Sequence, residues 1–89
     1  MLLKVLVANI AAIITTACFL PQVISVLKAK DTKAVSLVSY IALFCGVSLW
    51  VLYGFLVEEY SIVISNIIIA ICAMLVAGKK IINLKKGID

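Results

Sequence analysis

The sequence contains no histidine and no arginine, and its only acidic residues are Asp31, Glu58, Glu59 and Asp89. Charged residues make up 13% of the chain and hydrophobic residues 66%. A soluble domain of 89 residues needs a polar surface around a small core, and this composition has too few polar side chains to supply one. The scarcity of charge therefore excludes an ordinary soluble domain.

The few charges divide the chain into three long apolar runs. No charged residue occurs from Val5 to Leu27, from Ala34 to Val57 or from Tyr60 to Gly78. A helix needs roughly 17 to 25 residues to cross the hydrocarbon core, and barrel strands would alternate in polarity, which these runs do not. The sequence predicts an all-α membrane protein with a single domain over residues 1–89. Its three transmembrane helices are expected at about 5–27, 34–57 and 60–80.

The predicted spans also lack every side chain that carries a charge or a proton. Without such a group, nothing inside the membrane can relay protons or balance a charged substrate. This argues against a proton-coupled drug antiporter and a rotary proteolipid, both of which need a carboxylate within the membrane, and it favours passive transport of a neutral solute. The chain has no serine–histidine pair and no glycine-rich phosphate loop, so we expect neither an enzyme nor a cofactor.

All eight basic residues are lysines, and three spans would place seven of them at one end of the bundle with only Lys4 at the other. By the positive-inside rule, this asymmetry predicts an external N-terminus and a cytoplasmic C-terminus. The net charge of +4 then reflects topology and contact with anionic lipid headgroups, and no nucleic-acid partner is expected. The seven lysines are Lys28, Lys30, Lys33, Lys79, Lys80, Lys85 and Lys86.

Pro21 is the only proline and lies inside the first span. It has no N–H for the carbonyl of Ala17, and its ring clashes there, so the helix is expected to bend or break. Thr16 and Gln22 are near enough in sequence to satisfy the freed carbonyl. Two interpretations remain open, a hinge that moves and a static kink.

Trp50 and Asn66 are predicted to lie at one depth in the membrane. At helical rise, Trp50 lies about 6 Å and Asn66 about 5 Å to the outer side of the middle of its span. A tryptophan ring can cover the C–H face of a pyranose, while an amide both donates to and accepts from hydroxyls. Each residue alone also fits a more ordinary role, as an interface anchor or as an interhelical bond. Together they are the candidate residues for binding a neutral sugar.

The three cysteines, Cys18, Cys45 and Cys72, occur once per span. A three-thiolate metal site is one interpretation, but the chain has no histidine to support it. We therefore interpret the cysteines as small packing residues and expect no metal.

Several short motifs follow one another in a fixed order and carry a family resemblance. They are Pro21-Gln22, Ser36-Leu37-Val38-Ser39-Tyr40, Gly46 to Gly54 with Trp50 and Tyr53, and Ser65-Asn66. On these residues the chain resembles the bacterial SemiSWEET sugar transporters of the PQ-loop family over roughly residues 8–78.

The resemblance implies a bundle with the third helix packed between the first two. It also implies a parallel homodimer of 3+3 helices around a central path in the bacterial inner membrane. Physical reasoning supports the dimer, because three helices about 10 Å across cannot surround a path wide enough for a hexose. Two copies about a two-fold axis can do so.

The resemblance further implies roles for individual residues. Trp50 and Asn66 would bind a sugar of the glucose or sucrose type, and Pro21 with Gln22 would form a hinge for alternating access. The implied gates are Tyr53 on the outer side and the neighbourhood of Tyr40 and Phe44 on the inner side.

The chain departs from this pattern at the outer mouth. Related transporters often have an arginine and an aspartate after the Tyr-Gly pair, whereas this chain reads Val57-Glu58-Glu59-Tyr60. We therefore expect Tyr53 and apolar contacts to close the outer side, with Glu58 and Glu59 solvated.

Three functions are compatible with the sequence. The first is facilitated diffusion, or uniport, of a neutral mono- or disaccharide by alternating access. The second is transport of another small neutral solute by the same fold. The third is a different class altogether, either a non-transporting assembly subunit or a holin-like pore.

Overall fold

The computed structural model describes residues 2–89, so that Met1, the first residue of the predicted domain, lies outside the described part. It contains three helices, α1 (Leu2–Lys28), α2 (Leu37–Leu56) and α3 (Tyr60–Lys85). Each helix is long and apolar enough to cross a membrane. This architecture is the all-α, three-helix bundle that the apolar runs predict.

The helix ends differ from the ends of the charge-free runs. α1 includes Lys4, and α3 continues as far as Lys85. Lysine is a good helix former, and its long stem lets the ammonium group reach the headgroup level, so it does not end a membrane helix. α2 starts later than its run, at Leu37, because Ser36 caps it: the Ser36 Oγ accepts a hydrogen bond from the backbone N–H of Ser39 at 3.2 Å.

The three helices form a single layer with α3 in the middle. α3 packs against both neighbours, whereas within residues 2–89 no Cα atom of α1 comes within 8 Å of a Cα atom of α2. The Cα atoms extend over 52 × 22 × 13 Å, which fits three helices side by side at axial distances of about 8–10 Å. Bonds between Asn9 and Ser61 at one end and between Lys79 and Val26 at the other show that α1 and α3 run in the same direction.

A single layer buries few side chains, and most of them belong to the central helix. Among residues 2–89, five of the seven buried apolar residues lie on α3. Both broad faces of the layer are therefore open to lipid or to another protein chain. The seven residues are Val23, Val47, Val63, Ile69, Cys72, Ala73 and Val76.

Helix α1 continues through Pro21 without interruption, so the predicted break does not occur. The side-chain hydrogen bond next to the proline comes from Ser25, whose Oγ donates to the carbonyl oxygen of Pro21 at 3.0 Å. In residues 2–89 neither Thr16 nor Gln22 makes the expected bond to this turn. The hinge role of Pro21 and Gln22 stays a prediction.

A polar cluster, formed by Thr32, Lys80, Asn83 and Asp89, holds the α1–α2 loop against the end of α3. The backbone N–H of Thr32 donates to Asp89 Oδ1 at 2.9 Å, and its hydroxyl donates to Asp89 Oδ2. Lys80 Nζ lies 2.9 Å from the Thr32 carbonyl oxygen and 3.1 Å from Asp89 Oδ2. Asn83 Nδ2 donates to Thr32 Oγ1 at 3.1 Å. A left-handed turn at Gly87 brings Asp89 back to this position.

The cluster changes the acidity of Asp89. Burial alone would raise the pKa of this carboxyl, but the hydrogen bonds from Thr32 and from Lys80 outweigh burial and hold the pKa below its ordinary value. The group is therefore ionised at neutral pH and keeps its partners.

Lys79 binds the end of α1. Its Nζ donates to the carbonyl oxygens of Val26 at 2.9 Å, of Leu27 at 2.7 Å and of Ala29. A cation at this position binds the carbonyl oxygens at the end of the helix and complements the helix dipole. Lys79 and Lys80 thus bind protein groups, which corrects the expectation that all seven lysines contact lipid headgroups.

Candidate functional site

Trp50 and Asn66 line the same groove, which has a volume of about 350 Å³. All three helices contribute to it, with Trp50 as the residue from α2. The residues from α1 and from α3 each recur every three to four positions, which places each set on one face of its helix. They are Ala8, Ala11, Ala12 and Thr15 on α1, and Ile62, Ser65, Asn66 and Ile69 on α3.

Asn66 is half-buried and bonds within its own helix. Its Nδ2 donates to the carbonyl oxygen of Ile62 at 2.8 Å. A side-chain amide has two N–H groups and one carbonyl oxygen, so an N–H and the Oδ1 remain for another partner. An interhelical bond, the ordinary role of a membrane asparagine, is not formed by Asn66 in the described protomer. Asn66 is one of the residues that line the groove.

Trp50 presents its ring on the open side of the layer, with 54% of the residue exposed. The ring packs edge-on against Tyr53, with centroids 5.6 Å apart and planes at 90°. Trp50 and Tyr53 also line a second, shallower cavity of about 600 Å³ with Gly46 and Leu49. At Gly46 a Cβ atom would have no neighbour within 4 Å, so this face of α2 is open. The indole therefore borders both the groove and the open face.

The other candidate residues lie along α2 on either side of Trp50. Tyr40 and Phe44 line a small groove of about 180 Å³ with α3 residues that include Ala73 and Ala77. This groove lies towards the lysine-rich end. At helical rise, Tyr40 lies about 15 Å along α2 from Trp50. Tyr53 lies on the opposite side of Trp50. The roles of Tyr40, Phe44 and Tyr53 as gates stay predictions.

Within residues 2–89, neither Glu58 nor Glu59 forms an ion pair. The ion pair between Lys80 and Asp89 lies at the opposite end of the molecule. Glu58 is exposed and Glu59 is half-buried. Glu59 precedes α3 without a side-chain cap bond.

The three cysteines have different surroundings. Cys72 is buried and packs with Val23 and Val76 in the core, while Cys18 and Cys45 are exposed. The packing interpretation therefore holds within one protomer for Cys72 alone.

Sequence reasoning missed the contribution of α1 to the groove, above all that of Thr15. The available signal was the recurrence of Ala8, Ala11, Ala12 and Thr15 at helical spacing along the first span. The same spacing is common to lipid-facing and protein-facing sides of a membrane helix, so it does not identify the groove without the structure.

Comparison with known proteins gives a consistent family. Residues 3–77 match the family described as "Sugar efflux transporter for intercellular exchange". The chain is 41% identical to the sugar transporter SemiSWEET of Leptospira biflexa over 71% of this chain and 74% of that protein. It is 34% identical to the one from Escherichia coli over 85% of each chain, and 32% identical to the one from Bradyrhizobium diazoefficiens over 92% of each. No solved structure matches the chain significantly.

A family of transporters agrees with the three apolar helices. It consists of transporters, which confirms the expectation that the chain is not an enzyme. The match covers most of the chain and includes Trp50 and Asn66. The chain is a multi-pass membrane protein, and it belongs to the family of sugar efflux transporters for intercellular exchange.

Proposed function

We propose that the protein carries a neutral mono- or disaccharide down its concentration gradient, as a uniporter that works by alternating access. The observation that carries the proposal is the groove that the exposed Trp50 and the half-buried Asn66 both line, with one N–H and the Oδ1 of Asn66 left for a further partner. The ring offers an apolar surface to a pyranose, and the amide offers a donor and an acceptor to its hydroxyls. Neither group selects for charge.

The absence of ionisable side chains near the groove supports passive transport. The residues that line it are alanine, threonine, isoleucine, serine, asparagine and tryptophan. None of these side chains can carry a proton across the membrane or balance a charged solute. A sugar of the glucose or sucrose type fits this chemistry better than an ion or a charged amino acid.

The shape of the layer supports a homodimer. A layer only 13 Å thick leaves the groove open along one side, so one chain cannot seal a path from lipid. A second copy that faces the first across the open side of Trp50 would close the path. With both copies inserted in the same direction, the assembly is a parallel dimer with a two-fold axis normal to the membrane.

The distribution of lysines supports the orientation. Seven of the eight lie at one end, which we assign to the cytoplasm, and the N-terminus is then external. The bacterial relatives support a place in the bacterial inner membrane.

The proposal assigns the moving parts by position. Pro21 and Gln22 form the hinge in α1, because the proline removes one backbone bond from an otherwise continuous helix. Tyr53 closes the outer side of the groove, and Tyr40 with Phe44 closes the inner side.

The experiment is uptake of labelled glucose and of labelled sucrose by liposomes that contain the purified protein. We expect uptake that stops when internal and external concentrations are equal. Trp50→Ala and Asn66→Ala are expected to reduce uptake at least tenfold, because each removes a group that contacts the solute. Leu52→Ala and Ile67→Ala are matched controls, since both side chains are exposed and neither lines the groove.

Three outcomes would decide against the proposal. Equal sugar uptake by the parent and by both groove variants would show that the solute binds elsewhere. Release of a small trapped dye by the parent protein would show an open pore instead of a transporter. If other neutral solutes compete for uptake as strongly as unlabelled sugar does, the second function, transport of a different small solute, would be favoured.

A further inference from the structure

The α1 side of the groove contains one polar side chain, Thr15. Its neighbours on that wall are Ala8, Ala11 and Ala12. A methyl group limits the shape of a solute but cannot recognise its hydroxyls, so recognition from this side depends on the threonine. The groove would otherwise bind a sugar through α2 and α3 alone.

The Thr15 hydroxyl is free to bind a solute. A threonine inside a helix often satisfies its hydroxyl with a carbonyl oxygen one turn earlier. Ser65 makes a long bond of this kind, from its Oγ to the carbonyl oxygen of Ile62 at 3.4 Å, and Asn66 binds the same oxygen. Within residues 2–89 the Thr15 hydroxyl forms no hydrogen bond, and Thr15 is an exposed residue that lines the groove.

The next residue along the chain, Thr16, lies in a different environment. It lines a separate groove of about 410 Å³ between α1 and α3, where apolar residues such as Ile64 and Ile68 dominate. The amide of Asn9 and the hydroxyl of Ser61 in that groove bond to each other. Consecutive helical residues point about 100° apart, so the two threonines are a natural pair of test and control.

We propose that Thr15 determines the sugar specificity of the transporter, by binding one sugar hydroxyl from the α1 side of the groove that Trp50 and Asn66 also line. This inference rests on the proposed function. A threonine hydroxyl both donates and accepts and carries no charge, which suits a neutral polyol. In a two-fold dimer each bound sugar would meet this group from both chains.

The experiment compares the isosteric variants Thr15→Val and Thr16→Val in the liposome assay, with rates divided by the amount of inserted protein. The solutes are glucose and a series of deoxyglucoses, each lacking one hydroxyl. For the parent we expect one deoxyglucose to need a concentration about three- to tenfold higher than glucose for half-maximal uptake, as for the loss of one neutral hydrogen bond. Thr15→Val should raise the half-maximal concentration for glucose by the same factor. It should leave the half-maximal concentration for that deoxyglucose unchanged.

Two further variants separate recognition from a structural role. Thr15→Ser keeps the hydroxyl and should restore the preference for glucose over the deoxyglucose. Thr16→Val should keep the parent's half-maximal concentration for glucose and its preference for glucose over the deoxyglucose. A general loss of packing would lower the uptake of every sugar alike, which would overturn the inference.

The failures of the two proposals are distinguishable. If Thr15→Val keeps the parent's preference while Trp50→Ala and Asn66→Ala abolish uptake, the role of Thr15 is overturned and the transport function stands. If the parent protein takes up no sugar, the proposed function is overturned and this inference with it.

Discussion

At Gly54 the backbone of α2 lies too close to α3 to leave room for a side chain. A Cβ atom at this position would lie 2.7 Å from a methyl carbon of Val63 and 3.2 Å from the carbonyl oxygen of Glu59. The Gly54 carbonyl oxygen also accepts the N–H of Glu59 at 2.9 Å, which closes the last turn of α2. One residue without a side chain thus sets the distance between the two helices at this end.

We expect Gly54→Ala to destabilise the folded protein by about 1–3 kcal/mol, because the added methyl group must displace Val63 or the backbone of the turn. The measurement is the thermal unfolding midpoint in detergent, followed by size-exclusion chromatography. Gly78→Ala is the matched control, since a Cβ atom there has no neighbour within 4 Å. If Gly54→Ala has the same unfolding midpoint as the parent, the two helices separate easily at this point.

Residues differ in how far their place in the site can be predicted from the sequence. The meeting of Trp50 with Asn66 in one groove follows from counting along two spans, since helical rise fixes the depth of each residue. The contribution of Thr15 depends on how α1 is rotated about its own axis. The lipid and the interior of a membrane helix bundle are both apolar, so the hydrophobicity of a residue says little about that rotation.

At the scale of elements, the lysine-rich end shows a second limit of prediction. The charges of Lys80 and Asp89 are evident in the sequence, but their pairing depends on the turn at Gly87, which returns the chain towards Thr32. The contacts span more than fifty positions between Thr32 and Asp89. Local patterns cannot specify a bond across such a separation, whereas they do specify the three helices.

Helix α1 is the element in which a change of shape is expected, because it carries Pro21 and, within residues 2–89, its backbone lies close to that of α3 but not to that of α2. We predict that Pro21→Ala slows maximal uptake roughly tenfold, equivalent to about 1.4 kcal/mol in the barrier, since alanine restores a backbone bond and stiffens the hinge. The half-saturating sugar concentration should change little, because Pro21 does not line the groove.

Thermal unfolding of the same variant provides the control. Alanine has a higher helix propensity than proline, so Pro21→Ala should be at least as stable as the parent. A slower and equally stable variant indicates a hinge, whereas an unchanged maximal rate would reduce Pro21 to a static kink.

At the scale of the whole molecule, the proposed dimer would bring a second copy to the open face beside Trp50. Tyr53 lies on this face, and Ile64 lines the other groove between α1 and α3. Tyr53 is seven residues beyond Gly46, the expected middle of its span, which is about 10 Å along the helix. In a parallel dimer two Tyr53 positions share one depth, and in an antiparallel dimer they are about 20 Å apart in depth.

A cross-linking experiment uses this difference. In a chain whose three cysteines are replaced by alanine, we expect Tyr53→Cys to give a disulfide-linked dimer on mild oxidation in native membranes. A disulfide needs Cα atoms within about 7 Å, which the parallel arrangement about a nearby axis permits and the antiparallel one forbids. Ile64→Cys, at an exposed position on the other groove, should stay monomeric. Cross-linking through Ile64→Cys with none through Tyr53→Cys would instead place the partner on the opposite face, and the groove of Trp50 and Asn66 would then face lipid.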